Sequence, residues 1–395
     1  MTERLYYTDP DLTEFEGTIV RTGRREDGYF AVLDRSAFYP TSGGQSHDNG
    51  TLNGEQINDV VEEADEVIHL SGADIGRVGT KVKGIVDKER RRRNCQSHTA
   101  QHIMSGACDR LYGFRTASVH LGDEYTAVEL ETATMSPAQL TAIETLANQV
   151  VAENVTVEIK FVDSNQAAAL PFRKEPQRGG ELRVIRIGEF DYSACGGTHC
   201  RTSGGVRLIK IIGCDRIRGR VVINFFAGDL AVADYQMRFD VTDTLAKAFT
   251  CHPTDLVAKI DKRTSENKEL KSRLIDAQKE LLPIRASQLA QKADTVGGVK
   301  VLFERVADLE PASASRLAGL VADEIGGLAV LAIESRLILA TSPSSGLHAG
   351  NLARKIAERS GLKGGGNERV AQLGGAVDNN PKPYAEIIRS VLADA

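Results

Sequence analysis

The sequence lacks an uninterrupted apolar segment long enough to cross a membrane. Its most apolar stretch, residues 317–340, is broken by four charged side chains: Asp323, Glu324, Glu334 and Arg336. A membrane-spanning helix needs about 20 predominantly apolar residues. We therefore expect a soluble protein with no membrane partner.

The sequence also lacks a disulfide framework and a strongly positive net charge. Six cysteines occur among 395 residues without regular spacing, and the start MTERLYYTDP has no apolar signal region. These features predict a cytoplasmic location. The formal net charge of −5 excludes a histone-like coat of positive charge. Any nucleic-acid contact must come from local basic clusters.

What the sequence has is enough apolar material for several cores, since 41% of its residues are hydrophobic and 26% are charged. A chain of this length exceeds the size of a single core. Alternating segments at 17–21 and 29–34 between turns indicate strands, whereas the helical and strand patterns after them are mixed. We predict an α+β multidomain protein with four parts: a β-barrel-like domain at 1–85, an α+β domain at 86–240, a helical or coiled-coil linker at 241–295 and an α/β module at 296–395.

Two helices stand out within this plan. Asp87 is a typical N-cap and Gly113 a typical end for a helix near 88–112, with Ile103, Ala107 and Leu111 facing a core. Residues 256–284 show a heptad pattern with Asn267 in the apolar seam. One isolated helix cannot bury that seam, so we predict a homodimer through 256–284. The alternative is that the segment 284–295 folds back onto it in the same chain.

Two short motifs together predict a metal site. His98 and His102 lie four residues apart, one turn along the same helical face. Alone, such a pair also occurs on solvated helix faces. Cys195 and His199 add a thiolate and an imidazole in a glycine-rich turn, and a His₃Cys set suits Zn²⁺. Thr99 stands where a zinc protease needs glutamate, which disfavours that class. A purely structural zinc remains the alternative.

The same motifs resemble a known family. NCQSHTAQH at 94–102 and CGGTH at 195–199 are similar to the paired zinc motifs of AlaX proteins and of the alanyl-tRNA synthetase editing domain. The resemblance extends to FYPTSGGQ at 38–45, to the strand at 219–228, and to the glycine-rich run at 361–375, which is similar to the synthetase's C-terminal tRNA-binding domain. No aminoacylation core precedes the barrel, so we expect a protein that edits but does not charge tRNA.

The resemblance implies a trans-editing aminoacyl-tRNA deacylase that supports translation fidelity. Its substrates would be mischarged Ser-tRNA(Ala) and, as a second possibility, Gly-tRNA(Ala). Such editing is useful because a pocket separating near-isosteric amino acids gains only about 1–3 kcal/mol by binding alone. We assign the Zn²⁺ to His98, His102, Cys195 and His199. No protein base is assigned: a zinc-bound water or the terminal ribose hydroxyl of the tRNA would serve.

Two segments are candidates for the amino-acid pocket. Thr116, Ser118 and His120 alternate, so a strand would project them to one face, which the resemblance places at the editing cleft. The alternative is an ordinary polar strand face. Gly43, Gly44 and Gln45 form a turn that we expect to shape the pocket. The same three letters occur in release factors, but the eight residues around them match the editing family better.

Basic clusters predict where tRNA phosphates would bind. Solvated charge is the alternative for the arginines, and a tight loop is the alternative for the glycine run. As a whole-chain alternative we keep a non-catalytic tRNA-binding protein with a structural zinc. A phosphoesterase is disfavoured because the sequence has no Asp-His-His run. The candidate tRNA-binding residues are Arg90, Arg91, Arg92, Arg93, Arg216, Arg218, Lys363, Gly364, Gly365 and Gly366.

Overall fold

The structure, a computed structural model, describes residues 1–26, 28–175, 180–334, 336–375 and 382–393. It divides into two compact units, Met1–Thr244 and Leu245–Ala395. Helices and several sheets occur in the chain, so the predicted mixed architecture is confirmed. The finer division into four domains stays a prediction. Among the described residues, no helix combines the length and the apolar character needed to cross a membrane.

The first unit begins with a closed barrel in the strand order β2-β3-β7-β6-β5-β8. Strand β8 shows why the sequence forms it, because alternate residues such as Val82 and Val86 are buried while their neighbours face solvent. Gly84 leaves room for the Phe15 ring, which would lie 2.2 Å from an added Cβ. The strands are β1 (Glu3–Arg4), β2 (Glu14–Arg25), β3 (Gly28–Leu33), β4 (Arg35–Ser36), β5 (Gly50–Leu52), β6 (Glu55–Glu63), β7 (Glu66–Ser71) and β8 (Lys81–Val86).

Helix α1 (Lys88–Tyr112) follows directly and forms as predicted. The Asp87 carboxylate accepts hydrogen bonds from the backbone N–H groups of Glu89 and Arg90, and Gly113 ends the helix in the left-handed conformation at φ 66°. Ile103 and Ala107 are buried. The expectation for Leu111 was wrong: it is 41% exposed, because the last turn extends beyond the core.

Two sheets and helix α2 enclose α1 in the rest of the first unit. One sheet has the order β14-β15-β10-β9 and the other β11-β12-β13. Their buried residues share one apolar core with α1 and α2, which holds α1 against both sheets. The elements are β9 (Thr116–Leu121), β10 (Thr126–Leu130), α2 (Pro137–Glu153), β11 (Val157–Val162), α3 (Ser164–Ala168), β12 (Leu182–Ile187), β13 (Asp191–Ala194), β14 (Ile209–Ile217) and β15 (Arg220–Ala227).

Helix α4 (Asp229–Phe249) runs across the boundary, and the second unit contains a six-stranded sheet of order β16-β17-β18-β19-β21-β20. All six residues of β18 are buried, because α5 and α6 share an apolar core with one set of sheet residues and α7 and α8 with another. The elements are α5 (Leu256–Ala290), β16 (Asp294–Val296), β17 (Val299–Arg305), α6 (Pro311–Ile325), β18 (Leu328–Ile333), β19 (Arg336–Thr341), α7 (Ala349–Ser360), β20 (Lys363–Gly366), β21 (Val370–Gly374) and α8 (Lys382–Ala393).

The heptad segment forms most of the single long helix α5. Its C-terminal residues Leu282, Ala286 and Leu289 are buried in the second unit. The seam before them stays open: Leu270 is 64% exposed and Leu274 59% exposed. The alternative in which residues 284–295 fold back over the seam is wrong, because α5 continues through Pro283 to Ala290.

Candidate metal centre

Four side chains from two segments meet in the first unit, as the paired motifs predicted. His98 and His102 extend from one face of α1, and Cys195 and His199 lie in the loop after β13. Their ligand atoms all lie within 4.8 Å of one another. The Cys195 Sγ is 3.3 Å from Nε2 of His98 and 3.4 Å from Nε2 of His199. Three nitrogens and one sulfur at this spacing suit one metal ion.

The glycines of the second motif allow this approach. An added Cβ at Gly197 would lie 2.1 Å from the His98 ring. Any larger residue would therefore push the loop away from α1. The sequence pattern Cys-Gly-Gly-Thr-His thus encodes both the ligands and the space that they need.

The other ring nitrogen of each histidine is already engaged. Nδ1 of His98 is 2.7 Å from Oε1 of Gln45, and Nδ1 of His102 is 3.0 Å from Oδ2 of Asp191. Nδ1 of His199 is 3.3 Å from the Thr99 hydroxyl. Such second contacts fix the tautomer and leave Nε2 for a metal. The arrangement therefore fits a resident metal ion in both its ligands and their support.

The electrostatics of Cys195 and His199 favour the same assignment. Burial disfavours the Cys195 thiolate, but the neighbouring His98 imidazole lowers the thiol pKa well below its usual value. Burial and the neighbouring His98 lower the pKa of His199 to about 3. A thiolate and a neutral imidazole are the forms that bind metals.

Asp191 and His102 form a buried ion pair within this cluster. Burial opposes the charge on both, yet their mutual hydrogen bond lowers the pKa of Asp191 to about 2 and raises that of His102 to about 9. Arg173 supports the same carboxylate, its Nε donating to Oδ1 at 2.7 Å. No sequence pattern marks Asp191 or Arg173, because neither belongs to the two motifs.

Arg183 holds the metal-binding loop in place. Its Nη1 donates to the backbone carbonyls of Cys195 and Gly197, at 2.6 and 3.0 Å, and its Nε donates to the carbonyl of Tyr7. Sequence reasoning missed this residue as well. The only available signal was a charged residue at a buried position of β12, a strand that also contains Arg186.

The predicted glycine turn supplies a part of this centre. Gly43 and Gly44 have φ values of 56° and 86°, which glycine adopts without strain. The Gly44 carbonyl accepts from the N–H of Leu121, so the turn is attached to β9. Gln45 is buried; besides contacting His98, its amide nitrogen donates to the Thr198 hydroxyl at 3.0 Å.

The expected common face of Thr116, Ser118 and His120 was wrong. Thr116 pairs with Leu130 and Ser118 with Glu129, so the register skips Ala117 in a bulge. The bulge turns Thr116 toward α1, where it donates to Ser105 at 2.9 Å. Ser118 and His120 lie exposed on the other face, and Ser118 donates to Glu129 at 2.5 Å.

The four consecutive arginines have different environments. Arg91 is buried, its side chain only 3% exposed, in an ion pair with Asp48. Its predicted contact with tRNA is therefore wrong, because phosphate cannot reach it. Arg90, Arg92 and Arg93 keep exposed atoms, as do Arg216 and Arg218 in and after β14.

The glycine run at the other end of the chain is a strand and not a loop. Lys363, Gly364, Gly365 and Gly366 form β20, the exposed edge strand of the second unit, paired with β21. A Cβ on Gly364 would lie 2.0 Å from the carbonyl oxygen of Gln372. Close strand pairing explains this glycine, and the tRNA contact stays a prediction.

Comparisons with known proteins cover nearly the whole chain. A model of the Threonyl and Alanyl tRNA synthetase second additional domain matches residues 182–222, and a model of the DHHA1 domain matches residues 298–393. The alanine–tRNA ligase of Methanoregula boonei is 29% identical over 389 residues, covering 95% of this chain and 42% of the ligase.

Two further ligases show the same relation. That of Methanopyrus kandleri is 31% identical over 402 residues, covering 98% of this chain and 44% of the ligase. That of Methanoculleus marisnigri is 32% identical over 413 residues, covering 100% of this chain and 44% of the ligase. The chain thus spans less than half the length of the curated relatives that it matches.

Proposed function

Because the chain is an AlaX-like relative of the alanine–tRNA ligases, we propose that it is a zinc-dependent hydrolase that deacylates mischarged Ser-tRNA(Ala), with Gly-tRNA(Ala) as a second substrate. The observation that carries this proposal is the His₃Cys cluster, with ligand atoms within 4.8 Å of one another. An aminoacyl ester needs stabilisation of charge on its carbonyl oxygen and a nucleophilic oxygen. A buried metal centre is suited to both.

Zn²⁺ is the proposed ion, held by Nε2 of His98, His102 and His199 and by Sγ of Cys195. Mixed nitrogen and sulfur ligands select zinc over the oxygen-preferring Mg²⁺ and Ca²⁺. When bound, zinc supplies Lewis-acid chemistry, polarising the ester carbonyl or acidifying a water molecule. The six cysteines are all unpaired, which agrees with the reducing cytoplasm that we propose as the site of action.

The residues of this chain orient the site. Gln45 and Asp191 hold the rings of His98 and His102. Asp191 is committed to His102 and Arg173, so we do not propose it as a general base. The proton of the attacking water would pass to solvent or to the neighbouring ribose hydroxyl of the tRNA.

We further propose that tRNA contacts both units. In the first unit, the exposed arginines beside α1 and in and after β14 would bind phosphates. In the second unit, the exposed edge strand β20 would approach RNA through its backbone. The open seam of α5 would pair with a second copy of the chain.

One observation favours a second candidate function. Four protein ligands are the usual complement of a structural zinc site, which leaves no open position for water. A non-catalytic tRNA-binding protein would have such a site. Zinc removal would then unfold the loop after β13 without abolishing any reaction.

Deacylation assays separate the two functions. The purified protein is incubated with Ser-tRNA(Ala), Gly-tRNA(Ala) and Ala-tRNA(Ala), before and after zinc removal, and loss of the aminoacyl group is followed. The hydrolase hypothesis expects fast loss from the first, slower loss from the third, and no enzymatic loss without metal. Equal, metal-independent decay of all three would leave the binding protein as the better description.

A further inference from the structure

A cleft of about 230 Å³ lies beside the N-terminal half of α1, in the first unit. The helix lines it with Arg90, Arg93, Asn94 and Ser97, and Gly122 with Asp123 lines it from the β9–β10 turn. Leu230, near the start of α4, completes the wall. None of the four metal ligands lines this cleft.

Two arginines hold the walls in position. Nε of Arg90 donates to the carbonyl of His47 at 2.9 Å and its Nη1 to Asp123 at 2.9 Å, which joins two loops across the cleft. Arg92 pairs with Asp229 at 2.6 Å, next to Leu230. Their guanidinium groups are therefore engaged within the protein.

Two other polar groups in the cleft have no partner among the residues that the structure describes. Arg93 is exposed and forms no ion pair or hydrogen bond with any residue that the structure describes. Ser97 is only 5% exposed, and within the same described ranges its hydroxyl makes no hydrogen bond. A free cation beside an unpaired hydroxyl is suited to an anionic ligand with several acceptor oxygens.

The cleft and the metal centre share helix α1. Asn94, His98 and His102 follow one another at intervals of four residues, so they lie in one row on the helix. Asn94, which lines the cleft, precedes His98 by four residues, roughly 6 Å along the axis at about 1.5 Å per residue. This distance is comparable with the length of one nucleotide.

The same loop borders both places. Gln45 contacts His98, the Ser46 carbonyl lies 3.5 Å from the amide nitrogen of Asn94, and the His47 carbonyl accepts from Arg90. A strand end whose reactive ester lies at the metal would therefore extend into the cleft.

We infer that this cleft binds the phosphate of the terminal nucleotide of the tRNA, with Arg93 supplying the charge and Ser97 a hydrogen bond. The inference rests on the proposed function, because it takes the ester at the metal as its reference point. Among the four arginines at 90–93, it assigns this one phosphate to Arg93. Arg90 and Arg92 shape the site, and Arg91 belongs to the interior.

Two small esters test the inference directly. The full chain loaded with zinc is given the seryl 3′-ester of adenosine and that of adenosine 5′-monophosphate, and kcat/KM is measured for each. We expect the phosphorylated ester to be preferred about tenfold or more, mainly through KM, as for a hydrogen bond to a charged group. Arg93→Gln should reduce that ratio to about one, and Ser97→Ala should reduce it less.

Arg77→Gln is the matched control. Arg77 is an exposed arginine in the loop before β8, at the end of that strand away from α1. Its substitution should leave the ratio unchanged. If Arg93→Gln slows both esters equally and keeps the ratio, Arg93 does not bind this phosphate and the inference fails.

A binding measurement separates this failure from failure of the proposed function. A fluorescent single strand ending in CCA is titrated with each variant at several salt concentrations. Arg93→Gln should reduce the salt slope by about 0.7, the value for one phosphate contact on a single strand. If wild type hydrolyses neither ester but the slope still falls, the cleft assignment stands and the hydrolase proposal fails. An unchanged slope overturns the cleft assignment.

Discussion

Nδ1 of His102 donates to one oxygen of Asp191 at 3.0 Å, while Arg173 donates to the other oxygen of the same carboxylate at 2.7 Å. The carboxylate thus fixes the orientation of the His102 ring through the ring nitrogen that points away from the other three ligands. We expect Asp191→Asn to weaken metal affinity by about 10–100-fold, as loss of such second contacts usually does. Competition with a chelator measures it. Asp234→Asn, which removes a mostly buried carboxylate that pairs with Arg238 on α4, is the control and should keep wild-type affinity.

The ligands themselves should matter more. We expect about one zinc per chain in the wild type, and loss of the metal together with more than about a hundredfold loss of deacylase activity in His102→Ala and in Cys195→Ala. Elemental analysis and the tRNA assay provide the two readouts. Cys214→Ala, at an exposed position in β14, should change neither. Full activity in the metal-free protein would contradict the role assigned to the cluster.

A chain ending near residue 250 should separate catalysis from tRNA affinity. The metal centre lies entirely within Met1–Thr244, so we expect the shortened chain to keep hydrolysis of a small seryl ester. Its affinity for tRNA should fall by about tenfold or more, because a second binding unit is lost. Gel-shift titration measures the affinity. Unchanged affinity would argue against a tRNA role for the second unit.

The open seam of α5 predicts self-association. Leu270 and Leu274 are more than half exposed, and a stripe of this length is usually covered by a partner helix. We expect a dimer at micromolar concentration by light scattering, and a monomer for Leu270→Glu combined with Leu274→Glu, because the change places charges in the seam.

Lys268→Glu combined with Ser272→Glu provides the control for this pair. It adds the same side chains to polar positions of the same helix and should leave the dimer intact. A monomeric wild type, or a dimer that survives both seam substitutions, would show that the seam is not the interface.

The barrel should lose stability between neutral and mildly acidic pH through His69. This residue is buried, with Nε2 2.8 Å from the Ser36 hydroxyl and Nδ1 3.1 Å from the Ala31 carbonyl. Burial lowers its pKa to about 4, against about 6.5 in an unfolded chain. Below pH 6.5 the unfolded chain therefore takes up a proton that the folded barrel does not, and the free energy of unfolding falls until pH 4.

We expect His69 to lower the free energy of unfolding by about 2 kcal/mol between pH 7.5 and pH 5. Urea unfolding of the chain ending near residue 250, followed by circular dichroism, measures it. His69→Gln should show a pH dependence smaller by about that amount. A variant whose unfolding free energy depends on pH as strongly as that of the wild type would exclude His69 as the source.

The parts of the site that the sequence predicted are those with local signals. Helix α1 has an acidic cap, a glycine stop and two histidines one turn apart, and these act within one segment. The pairing of His98 with Cys195 needed the second motif, and the glycines between Cys195 and His199 marked a close approach. The barrel region likewise shows period-two alternation, as in β8.

What the sequence did not predict depends on contacts between distant segments. Asp191 lies 89 residues from His102 and has no motif around it. The bulge at Ala117 reverses the side of Thr116 because of its pairing with β10, which periodicity cannot reveal. Strand β20 consists mostly of glycine, so no apolar pattern marks it, and the burial of Arg91 follows from Asp48, 43 residues away.

Gln45 belongs to the barrel by its place in the chain and to the metal centre by its contacts with His98 and Thr198. Opening the barrel would withdraw this amide, so metal retention and barrel folding are thermodynamically linked, each favouring the other. A substitution deep in the barrel core, far from any reacting atom, would then first lower the metal occupancy of the protein.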